Sequence, residues 1–229
     1  MFMESIGGMA CAAAGLMAYG VRSRSSTLFG PSVWRGAADR ASIALTFDDG
    51  PSESTPELLA LLERHRVRAT FFQCGVHVRR LAQVARQVAG TGHEIGNHGD
   101  THARLYLRSG RTIYNELARA QEAIFETAGV RPSLFRAPYG ARWIGLRAAQ
   151  RELGLLGVMW TTIGKDWKLP APAVVARLAA AARNGAIFCL HDSRAAAGTC
   201  IEALRRLIPA LEDKGYHFET VSEIICPKN

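Results

Sequence analysis

Five short polar motifs each follow directly on a short stretch of strand character, and this repeated pairing is the strongest constraint on how the 229-residue chain can fold. The motifs are Asp48-Asp49-Gly50, His98-Gly99-Asp100-Thr101-His102, Arg136-Ala137-Pro138-Tyr139, Asp166-Trp167 and Leu190-His191-Asp192. The stretches before them are Ile43 to Phe47, Glu94 to Gly96, Ser133 to Phe135, Val158 to Thr162 and Ala186 to Leu190. Most are rich in the β-branched and aromatic residues that suit a pleated surface. A sixth, Ala69 to Gln73, carries no motif. Between them lie segments of helical period, such as Ile113, Leu117, Ala120 and Ile124. Strand and helix alternate, so the strands are expected to run parallel and to bring their carboxyl ends to one face, where residues distant in sequence converge. The pattern is that of an enzyme's site.

Several segment ends carry the chemistry that helices need. Thr55 precedes Pro56 at a first turn, Thr199 with Glu202 reads as a capping box, and Gly154, Gly185 and Gly215 read as stops. About 190 residues from Arg35 onward suit one domain, with no linker or repeat to divide it. Residues 1–34 form an apolar N-terminal segment and 35–229 the catalytic domain. An open doubly wound sheet binds its ligand at one switch point, whereas motifs after five strands favour a closed or nearly closed barrel. The expected class is therefore α/β, a barrel with a parallel strand core and outer helices. At 48% hydrophobic residues the chain can fill such a core, which excludes disorder for most of it.

The formal charge of +8 favours anionic surroundings such as cell-wall polymers or lipid headgroups. Nucleic acid is not expected, because the arginines (Arg64, Arg79 and Arg108 among them) are spread over helix exteriors without interleaved aromatic residues. The run from Ile6 to Tyr19 is apolar and about fourteen residues long, shorter than the roughly twenty needed to span a bilayer, and Glu4 precedes it. A short membrane anchor, an uncleaved signal and a helix packed on the barrel are the three readings. The first would place the protein at the cell envelope, with membrane association through residues 6–19, rather than free in the cytoplasm. The cysteines at 11, 74, 189, 200 and 226 are odd in number with no Cys-x-x-Cys pair, so they form no disulfide framework or zinc knuckle. Cys11 sits in a poor context for lipidation.

Adjacent carboxylates at a strand end point in different directions, so one of Asp48 and Asp49 can bind a cation while the other reaches a water. His98 and His102, four residues apart, can join one carboxylate in a three-ligand set that leaves a coordination position open, as catalysis requires. Taken singly, an Asp-Asp-Gly is usually a turn and a His-x-x-x-His pair is usually solvated or core. Together with Arg-x-Pro-Tyr and a later strand ending in His191, they make a constellation that chance does not produce easily.

The run Thr46-Phe47-Asp48-Asp49-Gly50-Pro51, the stretch Gly92 to His102, Arg136-Ala137-Pro138-Tyr139-Gly140, Asp166-Trp167 and Leu190-His191-Asp192 resemble, in the same order, the polysaccharide deacetylases of carbohydrate esterase family 4. The resemblance covers roughly residues 35 to 225. It implies a distorted (β/α) barrel and one divalent metal, zinc before cobalt or nickel, held by Asp49, His98 and His102. It further implies that Asp48 is the general base toward the attacking water, that His191 protonates the departing amine, and that the backbone N–H of Tyr139 and the metal stabilise the oxyanion. Arg136 would orient Asp48 and keep it ionised, and Asp166 would tune the acid and base pair. Pro138, Trp167, Leu190 and Cys189 would line the substrate groove. His93 reads as a hydrogen-bonded structural residue, whereas His65, His77 and His217 read as surface or packing residues.

Three positions depart from the family pattern: Gly99 replaces a bracing Ser or Thr, Ile163 replaces the first Asp of Asp-x-x-Asp-Trp, and Cys189 replaces a Leu expected to line the acetyl pocket. Gly99 puts the rigidity of the histidine loop in question. The reading is a metal-dependent hydrolase that removes N-acetyl groups from amino-sugar glycans such as chitin-like polymers, peptidoglycan, exopolysaccharide or lipid-linked sugars. Its competitors are a deacylase of the same superfamily acting on an O-acetyl ester or a small amide or imide, and a silent glycan-binding protein.

Overall fold

A computed structural model describes residues 2–193 and 195–227, with side chains from Ala12 onward; Arg194 and the Cys11 side chain lie outside the described part. The helices are α1 (Phe2–Arg22), α2 (Thr55–Arg64), α3 (Gly75–Arg80), α4 (Ala82–Gly90), α5 (Gly110–Ala128), α6 (Leu146–Leu153), α7 (Ala171–Ala180), α8 (Ala197–Glu212) and α9 (Val221–Ile225). The strands are β1 (Ser32–Val33), β2 (Ser42–Gly50), β3 (Thr70–Gln73), β4 (Glu94–Asn97), β5 (Leu134–Phe135), β6 (Leu156–Val158), β7 (Thr162–Ile163), β8 (Ala186–His191) and β9 (His217–Phe218). They form one sheet in the order β1-β6-β5-β4-β3-β2-β8-β7, with β9 added to the start of β2. Every pairing is parallel. The sheet curls into a distorted, incompletely closed barrel. Its gap lies between β1 and β7, where Thr161 bridges by donating its hydroxyl to Trp34 O (3.1 Å) and its N–H to Ile187 O (2.8 Å).

Strand alternation sorts the side chains into two cores. Ile43, Leu45 and Phe47 of β2 join Phe71, Phe188 and Leu190 in the layer beneath α2, α7 and α8, while Ala44, Phe72, Leu134, Val158 and Ile187 fill the interior against α9. Phe47 and Phe71 meet with ring centroids 5.0 Å apart, and burying each such side chain contributes about 1.5–3 kcal/mol. The interior residues of β2 that follow Ala44 are Thr46 and Asp48, so the inner face turns polar toward the carboxyl end. The third core lies around α5, α6 and β5.

The period read in the sequence places α5 correctly: Ile113, Leu117, Ala120 and Ile124 are all buried. The helix runs from a Ser109 cap, which accepts from Thr112 N at 3.1 Å, to a left-handed Gly129. Pro56 lies in the first turn of α2 and Gly154 ends α6, as expected. Two expectations fail. Thr199 lies within α8, which starts at Ala197 on a turn closed by Ser193 O, and the capping box is instead Thr220 with Glu223 at the start of α9. Gly185 stops no helix; its φ of 73° seats it against the backbone of Gly36 and Ala37, where a Cβ would lie 2.6 and 2.5 Å from their carbonyl oxygens.

The segment after α1 is docked on the barrel. β1 pairs with β6, Arg142 donates to the carbonyls of Ser23 and Ser26, and Gln150 donates to Pro31 O at 3.0 Å. Residues 23–34 thus pack with the domain expected to begin at 35. Within α1 itself, burial among the described side chains begins at Gly20 and Val21. Among the described residues, no helix is long and apolar enough to cross a membrane.

Candidate active site

All five motifs meet at the carboxyl ends of the strands. Asp48 and Asp49 close β2, His98 follows β4, Arg136 follows β5, Asp166 follows β7 and His191 ends β8, paired in register with Asp48. Asp49 Oδ1 lies 3.3 Å from His98 Nε2 and 3.1 Å from His102 Nε2. The His98 Nδ1 is 2.8 Å from Arg136 O, and a carbonyl can only accept, so this nitrogen carries the proton. Its Nε2 then presents a lone pair to a carboxylate, a contact of two acceptors that calls for a positive charge between them. One carboxylate and two imidazoles suit zinc and similar divalent ions and leave coordination positions open. The fit is therefore good. Burial works to raise the Asp49 carboxyl, but the influence of His102 and His98 beside it outweighs burial and holds the group well below the usual carboxylate range.

Backbone geometry contributes to this arrangement. Asp49 and His102 both take left-handed conformations, φ 73° and 57°, which turn their side chains toward each other. His77, read from sequence as a surface or packing residue, donates from Nδ1 to Asp49 O at 2.7 Å and so holds the turn that carries Asp49. The histidine loop is braced from α5: Glu116 accepts from the N–H groups of Asp100 (3.1 Å) and Thr101 (3.0 Å) and from the Thr101 hydroxyl (3.0 Å). That carboxylate stands near Gly99, where the family carries a bracing hydroxyl; the nearest atom to a Cβ there would be Glu116 Oε2 at 3.6 Å.

Asp48 is almost fully buried beside Arg136, which is 0% exposed. The guanidinium donates to Asp48 Oδ1 (2.6 Å), Thr46 Oγ1 (2.7 Å), Val158 O (3.2 Å) and Met159 O (3.2 Å), and lies 4.1 Å from the centroid of Phe72. A buried ion pair of this kind needs such satisfaction, since the desolvation of both charges must be offset. The other oxygen, Oδ2, accepts from the Cys189 thiol at 3.4 Å, and Asp48, Cys189 and His191 offer atoms within 4.8 Å of one another. Burial pushes the Cys189 thiol well up, so it is a neutral donor.

Asp166 grips His191 twice, accepting from its backbone N–H and from its Nδ1, both at 2.8 Å. Burial lowers the imidazole, yet the hydrogen bond from Asp166 and the charges of Asp48, Asp166 and Asp49 outweigh it and raise its pKa above the ordinary value. Trp167 stands edge-on to this ring, centroids 4.6 Å apart. Asp192, buried behind the site, accepts from the hydroxyls of Thr55 (2.5 Å) and Ser52 (3.2 Å), and burial pushes its carboxyl up to about 7.

The cleft over these groups holds about 500 Å³ and is lined by Asp48, Asp49, His98, His102, Tyr139 and His191, together with Trp160, Ile163, Lys165 and Trp167. Of the four residues expected to form the groove, only Trp167 does so. Cys189 is fully buried beneath Asp48, Leu190 faces the helix layer because strand alternation sends it away from the site, and Pro138 is buried at the base of the turn that presents Tyr139. Trp160 and Lys165 were not legible in the sequence as groove residues, since neither belongs to a motif. His93 is structural, as read: it accepts from Ala69 N at 3.2 Å, and burial, with Arg68 nearby, lowers its pKa to about 4.

A family model described as polysaccharide deacetylase matches residues 35–158, more than half of the chain. The chain belongs to the polysaccharide deacetylase family. The chain is 36% identical over 188 residues to the peptidoglycan-N-acetylglucosamine deacetylase PgdA of Listeria monocytogenes. The match covers 81% of this chain and 39% of that protein, so the chain spans about two-fifths of the relative's length. To the peptidoglycan-N-acetylglucosamine deacetylase of Bacillus cereus it is 34% identical over 200 residues, covering 86% of this chain and 93% of the relative. The crystal structure of the Bc1960 peptidoglycan N-acetylglucosamine deacetylase superposes with a TM-score of 0.82 at 29% identity, covering 85% of this chain and 92% of that one.

Proposed function

We propose that this polysaccharide deacetylase is a zinc-dependent hydrolase that removes N-acetyl groups from an amino-sugar glycan of the peptidoglycan or chitooligosaccharide type. The observation that carries the reading is the pairing, in one cleft, of a carboxylate clamped by a buried arginine with an imidazole clamped by a buried carboxylate, together with a carboxylate and two imidazoles whose atoms could hold a metal ion. A divalent ion held by Asp49, His98 and His102 would acidify water and polarise the acyl oxygen. Asp48, its Oδ1 held by Arg136, takes the proton of the attacking water. Tyr139, on a left-handed turn at φ 59°, supports the oxyanion through its backbone N–H. His191, kept protonated by Asp166, delivers a proton to the departing amine as the C–N bond breaks, leaving acetate and a free amino sugar.

The test is acetate release from N-acetylglucosamine oligomers and from peptidoglycan, using protein stripped with chelator and then given zinc or cobalt. Metal-dependent acetate that disappears in Asp48→Asn is the expected result, with a loss of about 10²–10⁴-fold for removal of a general base. No acetate from either glycan with metal bound would overturn the reading and move the search to O-acetyl esters and small amides.

A further inference from the structure

A second cavity, of about 710 Å³, adjoins the catalytic cleft and shares Tyr139, Gly140 and Trp160 with it. One wall is the carboxyl half of α1, through Ala14, Met17, Ala18 and Val21. These residues precede the stretch matched by the family model, whereas Arg104, Tyr106, Tyr139 and Trp143 lie within it. The opposite side is aromatic. Tyr106 meets Trp143 edge-on at 4.6 Å, and Trp143 in turn rests at 5.8 Å on Phe29, which is buried, so the pair is held from below. Two guanidinium groups complete the lining. Arg104 lies 4.8 Å from the centroid of the Tyr139 ring, and Arg22 stands at the end of α1. Both are exposed, and no carboxylate pairs with either among the described residues.

Aromatic faces pack against the apolar faces of sugar rings, and unpaired guanidinium groups recognise carboxylates, so the two halves of this lining ask for one kind of occupant. We propose that the glycan runs from the catalytic cleft into this cavity, and that the sugar seated there carries a carboxylate bound by Arg22 and Arg104. Muramic acid, the lactyl-bearing sugar of peptidoglycan, has that chemistry. The proposal rests on the deacetylase reading and narrows it from amino-sugar glycans in general to acidic ones.

The full zinc-loaded chain is titrated calorimetrically with three tetrasaccharides: chitotetraose, an alternating N-acetylglucosamine and N-acetylmuramic acid tetramer, and the methyl ester of that tetramer. The acidic tetramer is expected to bind about tenfold tighter than the other two, as a charge-assisted contact supplies. The preference should shrink with added salt and vanish in the Arg22→Ala, Arg104→Ala double variant. Arg22→Ala alone, exposed on α1, is expected to lose part of the preference. Equal affinity for acid and ester, no binding by any of the three, or an unchanged preference in the double variant overturns the inference. Acetate release from chitotetraose and from the acidic tetramer, measured in parallel, tests the reaction itself. Acid-selective binding without acetate would sink the deacetylase reading and leave the anionic site standing.

Discussion

At the scale of the residue, the proposed acid and base are set apart by their partners. Asp48 and His191 are neighbours in register, yet one is held by a guanidinium and the other by a carboxylate. A carboxylate paired with a cation beside an imidazole paired with an anion is the arrangement that an acid and base pair calls for. In Asp166→Asn the hydrogen bond to Nδ1 loses its charge, and His191 loses one of the groups that raise it against its burial. The imidazolium then gives up its proton at lower pH. The alkaline limb of the kcat profile, followed by acetate release, should move to lower pH, and the rate on the alkaline side should fall by roughly tenfold or more. The resonance of His191 should shift its titration the same way. An alkaline limb that stays in place would show that His191 is not the group whose protonation limits the reaction.

At the scale of the element, the legible parts were those whose side chains have a single environment. β2 and β8 announced themselves through an apolar face, Ile43, Leu45 and Phe47 in one and Ala186, Phe188 and Leu190 in the other, and α5 through the helical spacing of Ile113, Leu117, Ala120 and Ile124. The stretch from Val158 to Thr162 reads as one strand but is two, because Met159 and Trp160 leave the ladder where the barrel fails to close. There Met159 O goes to Arg136 and its N–H to Val33 O. β1 and β9, two residues each, carry no pattern long enough to detect. The five motifs were legible since their chemistry is compressed into consecutive residues, whereas Glu116 was not. It braces the histidine loop from the middle of a helix, where a glutamate is an ordinary surface residue. Glu116→Ala should leave α5 intact, since its apolar face is untouched, and loosen the turn carrying His102. Groups that hold ligands in place are worth about 10- to 100-fold in metal affinity, so zinc binding measured against a competing chelator should weaken by that factor. Unchanged affinity would mean that the ligands hold the loop, and not the loop the ligands.

At the scale of the whole molecule, we propose that the domain begins before residue 35. The family match starts there, but β1 supplies the edge of the sheet. It pairs with β6, Val33 O receives Met159 N at 2.7 Å, and Pro31 O receives Gly157 N at 3.1 Å. Trp34 O accepts from Thr161 across the gap in the barrel, and Arg24 lies over the Trp34 ring at 5.2 Å. These contacts reach the site by a short route: the carbonyl of the residue that β1 holds, Met159, accepts from the guanidinium that clamps Asp48. Two truncations separate the roles of the segment. Removing residues 1–22 takes away α1, whose described side chains are mostly exposed, and should shift the melting temperature by no more than about 2 °C, the scale of one weak contact in a domain of this size. Removing residues 1–34 exposes the edge of β6, costs several buried hydrogen bonds and should lower the melting temperature by roughly 5–10 °C. The shorter protein should also lose more deacetylation rate than α1 removal alone, because Arg136 then rests on a loop with one side unsupported. Equal melting and equal rates for the two truncations would place the boundary at 35 after all and reduce β1 to a strand that merely lies alongside.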